Sequence, residues 1–149
     1  MSIRQMKLAS KSQLRHLSNM PLSIERSNDL IKLNLTGLVT AKDLYAGVDA
    51  LYENGPPARV LWDLTTAEIP DAADMPDQLR DFSSYATEKG KSRKGSKVAV
   101  ITPQDIQFGM ARMSATFAEL NRAAYSMQVF RDQPSAMAWL DSDGPALPE

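Results

Sequence analysis

The sequence predicts one α/β domain with a mixed sheet of about five strands, an antiparallel hairpin followed by parallel strands, and helices packed on it. Three observations carry that prediction. Two runs alternating apolar and polar residues near the start are joined by a short polar turn. Three later runs are short and almost continuously apolar, as strands covered on both faces tend to be. The intervals between them carry apolar residues three and four apart, the repeat of amphipathic helices.

The hairpin comes first. Pro21-Leu22-Ser23-Ile24-Glu25-Arg26 alternates with Leu22 and Ile24 on one face, and Ser27-Asn28-Asp29 supplies the turn. Ile31, Leu33 and Leu35 then point one way and Lys32, Asn34 and Thr36 the other, until Gly37 ends the run. Two such runs around a short polar turn read as a hairpin. Thr40 with Asp43 three residues on resembles a capping box. Leu44, Tyr45, Val48, Leu51 and Tyr52 follow on one helical face, and Asn54-Gly55-Pro56-Pro57 stops the helix.

Val60-Leu61-Trp62-Asp63-Leu64 and Lys97-Val98-Ala99-Val100-Ile101 read as buried parallel strands. Met127-Gln128-Val129-Phe130 reads as a shorter one nearer an edge. Leu79, Phe82, Tyr85 and Ala86 share a face between Pro76 and Lys89. Thr102-Pro103-Gln104-Asp105 reads as a helix start, with a cap residue, proline at the first position and an acid at the third. That helix carries Ile106, Met110, Met113, Phe117 and Leu120 as an apolar stripe, expected to be its buried face. A last short helix begins near Pro134 and holds Ala136, Met137, Trp139 and Leu140.

The chain has 149 residues, 17 Lys+Arg against 18 Asp+Glu, one histidine and no cysteine. One domain is the expectation at this length, with residues 21–140 as its body. Residues 1–20 read as a basic leader and 141–149 as an acidic, proline-containing tail. The near-neutral charge gives no drive toward nucleic acid. No apolar run reaches the roughly 20 residues of a membrane span. The absence of cysteine removes thiolate chemistry and cysteine-ligated metals, and is compatible with a cytoplasmic location. His16 lies in the leader with no partner at a recognisable spacing, so a nucleophilic triad has no oriented base. No cofactor motif is present, and the expectation is a protein that is not an enzyme.

The element order, with Val60-Leu61-Trp62-Asp63-Leu64, Lys97-Val98-Ala99-Val100-Ile101, Val129-Phe130-Arg131-Asp132 and the Gly37-Leu38-Val39-Thr40 step into the first helix, resembles the SpoIIAA-like family over residues 22–140. That family groups with the STAS domains of anti-sigma-factor antagonists. The resemblance implies a regulatory or ligand-binding role and a protein partner, a second copy of the chain included. Antagonists of that kind often carry Asp-Leu-Ser and then Asp-Ser-Ser-Gly at a helix start, with a phosphoacceptor serine. Here Asp63-Leu64-Thr65 matches the first part and Asp71 the second aspartate, but Ala72 and Ala73 replace the serines and Asp74 the glycine. The surface expected to meet a partner or ligand is Asp63, Thr65, Asp71, Ala72, Asp74 and Thr102.

Three clusters have two readings each. Asp63, Glu68, Asp71, Asp74, Asp77 and Asp81 could hold a divalent cation, or could serve separately as helix caps and first-turn acids. No EF-hand spacing is present, and no metal is expected. Lys89, Lys91, Arg93, Lys94 and Lys97 read as a solvated basic loop, with an acidic partner or anionic head group as the alternative. Met110, Met113 and Phe117 read as core, or as the wall of a pocket for a small lipophilic ligand between the long helix and the sheet.

Overall fold

The computed structural model describes residues 22–27, 29–69 and 74–142. Residues 1–20, His16 among them, Asp71 and Ala72, and residues 143–149 lie outside that set. The described residues form strands β1 (Leu22–Ser27), β2 (Leu30–Leu38), β3 (Arg59–Glu68), β4 (Lys97–Ile101) and β5 (Ser126–Phe130). Their helices are α1 (Ala41–Leu51), α2 (Met75–Lys89), α3 (Asp105–Leu120) and α4 (Gln133–Asp141).

The sheet runs in sequence order, β1-β2-β3-β4-β5. The β1–β2 pair is antiparallel and the other pairs are parallel, as the sequence predicts. Right-handed crossovers that always step the same way put their helices on the same face. Accordingly α1, α2 and α3 pack on one face, and α4 returns across the other. The two faces separate two cores. Val60, Trp62, Leu64, Val98 and Val100 point to the three-helix side with Leu33 and Leu35, while Leu61, Ala99 and Ile101 meet Ala136, Trp139 and Leu140 of α4. Each large aliphatic side chain fully buried in this way contributes about 1.5–3 kcal/mol.

Several boundaries differ from expectation for identifiable reasons. Strand β2 passes Gly37, at φ +69°, and reaches Leu38. Strand β3 extends four residues beyond Leu64, through a bulge. Asn34 pairs with Asp63 but Thr36 pairs with Thr66, so β3 carries one extra residue there. The N–H of Thr65 at that irregularity donates to Asp63 Oδ1 at 3.0 Å. A bulge displaces a backbone donor from the ladder, and the nearby carboxylate accepts it.

Helix α1 has the expected start, with the Thr40 N–H donating to Asp43 Oδ2 at 2.9 Å. Helix α3 does not begin at Thr102. The Thr102 N–H still donates to the Phe130 carbonyl at 2.9 Å, so β4–β5 pairing holds the chain extended until Gln104, the observed N-cap. Helix α4 is capped by Asp132, whose carboxylate accepts from the Ser135 N–H at 2.8 Å; that bond holds the carboxyl below its usual range.

The largest correction concerns α3. Its buried residues are Gln107, Ser114 and Ala118, with Ala111 packed against the core. Ile106 and Leu120, at the ends of the expected stripe, are 67% and 72% exposed. Met110, Met113 and Phe117 are half-buried. The helix turns its small residues toward the protein, while Ile106 and Leu120 point outward and Met110, Met113 and Phe117 lie between.

The basic segment is corrected in part. Lys89, Lys91 and Lys94 are exposed, but Arg93 and Lys97 are buried. Arg93 donates from Nε to the Pro57 carbonyl at 2.9 Å and lies 5.1 Å over the Tyr125 ring. Lys97 donates to the Trp139 carbonyl at 2.9 Å and to the Ser142 carbonyl and hydroxyl at 3.0 and 2.6 Å. Buried charges are tolerated when their donors are satisfied. Asp141 and Ser142, read from sequence as tail, therefore belong to the packed structure; Asp141 also accepts from Arg59 at 2.5 Å.

Candidate functional site

Helices α1, α2 and α3 do not fill the space above the sheet. A cavity of about 320 Å³ lies between them and β3–β4, with Trp62, Val98 and Val100 as its floor. Leu44 and Val48 of α1, Leu79 and Phe82 of α2, and Met110 and Ala111 of α3 form its walls. The local cause is the small-residue face of α3. Where Gln107, Ala111 and Ser114 meet the sheet, no large apolar side chain reaches down to the two valines. Ligand pockets typically span about 300–1,000 Å³, so this one suits a compact guest.

The two ends of the cavity differ. Arg93, Tyr52 and Tyr125 lie at the amino end of β4. There the guanidinium is already used by Pro57 and by the Tyr125 ring, and burial pushes the Tyr125 phenol up, keeping it neutral. Gly90 makes this end possible. A Cβ there would stand 2.7 Å from Tyr125 Cε2 and 2.9 Å from the Tyr52 hydroxyl.

At the carboxyl end stand Thr102, wholly buried, and Gln107, 5% exposed. The Gln107 Nε2 donates to the Ala67 carbonyl at 2.8 Å, which fixes the amide orientation. Among the described residues its Oε1 and the Thr102 Oγ1 have no hydrogen-bond partner. Buried polar atoms are nearly always paired, so two unpaired ones on one cavity are an unusual feature.

The residues expected to form one surface are distributed over several places. Thr102 lies in the cavity. Asp63 points to the opposite sheet face, beside Lys32 Nζ at 3.8 Å, and accepts from the exposed Thr65. Its carboxylate thus supports the bulge and the Lys32 contact. Asp74 is exposed at the N-cap of α2, with no side-chain cap bond. Asp71 and Ala72 lie outside the described residues. Among the described residues no three or more His, Cys, Asp or Glu side chains group as a metal site. Asp77, one of the acids considered for such a site, pairs with Arg80 at 2.7 Å.

Of the expected pocket residues, Met110 lines the cavity, while Met113 and Phe117 do not. Phe117 instead lies 6.0 Å from the Arg80 guanidinium. Sequence reasoning missed Gln107, Tyr52 and Tyr125 as site residues. A signal for Gln107 existed, since Gln107, Ala111, Ser114 and Ala118 share one helical face. Among the described residues no helix is long and apolar enough to cross a membrane.

Comparison with curated proteins gives no significant match. Among solved structures the chain aligns with the phosphorylated form of the Bacillus cell fate determinant SpoIIAA. The alignment has 12% identity and a TM-score of 0.41, and covers 78% of this chain and 96% of that one. Comparison with protein families matches residues 30–141, from the second strand to the end of the last helix, to one description. With that match over most of its length, the chain belongs to the SpoIIAA-like family.

Proposed function

We propose that this protein is a non-enzymatic regulatory module whose working site is the cavity, and that it takes up a small lipophilic ligand there. The observation that carries this reading is an apolar space of about 320 Å³ between three helices and the sheet. Burying apolar ligand surface contributes about 25 cal/mol per Å² before the costs of association. Family membership supports the regulatory part. Ala72 and Ala73, where related antagonists carry serines, argue against a serine phospho-switch at that position.

Trp62 forms part of the cavity floor, whereas Trp139 packs on the other sheet face. In a Trp139→Phe background Trp62 is the single indole reporter. Titration with 1-octanol is expected to give a saturable change in its emission. Emission that stays flat up to the solubility limit rejects the reading.

A second reading, a protein-interaction surface, draws on the α3 ridge. Ile106 and Leu120 are mostly exposed, with Met113 and Phe117 half-buried between them. The simplest partner for such a ridge is a second copy of the chain. Sedimentation equilibrium is expected to show a dimer that Ile106→Asp with Leu120→Asp converts to monomer; a wild-type monomer at all concentrations excludes self-association.

A further inference from the structure

Among the described residues, Gln107 and Thr102 at the carboxyl end of the cavity carry unpaired buried polar atoms, and their chemistry narrows the guest. Gln107 has its amide N–H₂ engaged by Ala67, which leaves the acceptor Oε1 buried and without a partner among the described residues. The Thr102 hydroxyl beyond the end of β4 can accept or donate, and it too has no partner among the described residues. An acceptor-only atom is satisfied by a donor and repelled by an anion. Among the described residues no lysine, and no arginine other than Arg93, lines the cavity. Arg93 sits beyond the other end of β4, about 16 Å away at roughly 3.3 Å per strand residue. There its guanidinium is used by the Pro57 carbonyl and the Tyr125 ring.

Resting on the cavity reading above, we infer that the ligand is an uncharged lipophile with a terminal O–H or N–H donor, an alcohol or primary amide, whose head lies at the Thr102–Gln107 end. The tail would run over Val100 and Val98 toward Tyr125. At about 30 Å³ for each water-sized group, the cavity accommodates about ten such groups. A fatty acid anion fits poorly, because its carboxylate would lose its water and meet Oε1.

Isothermal titration of the full chain at pH 8 tests this with 1-octanol, octanamide, octanoate and 1-chlorooctane. Thr102→Val removes the hydroxyl while preserving shape, and Thr102→Ser retains it. The expected result is that 1-octanol and octanamide bind more tightly than octanoate. Thr102→Val is expected to weaken 1-octanol about three- to tenfold, the worth of one hydrogen bond, and to leave 1-chlorooctane unchanged or tighter. Thr102→Ser should hold 1-octanol near its wild-type affinity. Octanoate as the tightest ligand, or equal effects of Thr102→Val on 1-octanol and 1-chlorooctane, overturns the head-group assignment and leaves the cavity reading standing. Failure of all four to bind overturns both.

Discussion

Replacing Thr102 by valine should stabilise the ligand-free protein. Thr102 is wholly buried, and its Oγ1 has no partner among the described residues. A buried hydroxyl without a hydrogen bond costs about 1–3 kcal/mol in proteins. Valine has nearly the same shape, shares the β-branched preference for extended backbone, and removes that cost. The Thr102 main-chain bond to Phe130 is untouched by the exchange. For a chain of this length about 1 kcal/mol shifts Tm by about 2–4 °C. The expected rise is therefore about 2–12 °C in calorimetry of delipidated protein. A fall in Tm would refute the reasoning, because it would mean that the hydroxyl is satisfied, for example by an ordered water in the cavity.

Three further outcomes follow from particular contacts. Gly90→Ala should destabilise by about 1–3 kcal/mol, since its Cβ would meet the Tyr125 ring and the Tyr52 hydroxyl, while Gly109→Ala, with nothing within 4 Å, should stabilise by about 0.5–1 kcal/mol; chemical denaturation measures both. Ala111→Leu should fill part of the cavity, leave Tm unchanged or higher, and weaken 1-octanol at least about tenfold by calorimetric titration. Asp132→Ala should lower Tm at neutral pH. Because the Ser135 N–H holds the Asp132 pKa below its ordinary 3.8, this stabilisation is present above that value and is lost as pH falls through the lowered pKa. Thermal melts of wild type and variant should therefore converge in acid, and a gap that widens there would contradict the assignment.

Much of the fold was legible because strand and helix periods differ. Alternation exposed the hairpin, and continuous apolar runs exposed the central strands of a sheet covered on both faces. The extension of β3 was hidden because Thr65-Thr66 and Glu68 are polar, and a bulge breaks the alternation that a reader follows. The α3 error has a similar root. Periodicity identifies an apolar face, but the face that packs is the one that fits, and here that is the small one. Arg93 and Lys97 looked solvated because their partners, Pro57, Trp139 and Ser142, are distant in sequence. Met110, Met113 and Phe117 read from sequence as core or as a pocket wall, and of the three only Met110 lines the cavity. Its polar end depends on the Gln107–Ala67 bond, which joins two elements across 40 positions of sequence.

The most direct test of the central claim is where a bound lipophile sits. Intermolecular nuclear Overhauser effects between 1-octanol and the isotope-labelled chain locate it. A guest in the cavity should show contacts to the Trp62 and Phe82 rings and the Ala111 methyl, and none to Phe130 or Trp139 on the other face. Contacts confined to Phe130 and Trp139, or an absence of any saturable contact, would contradict it.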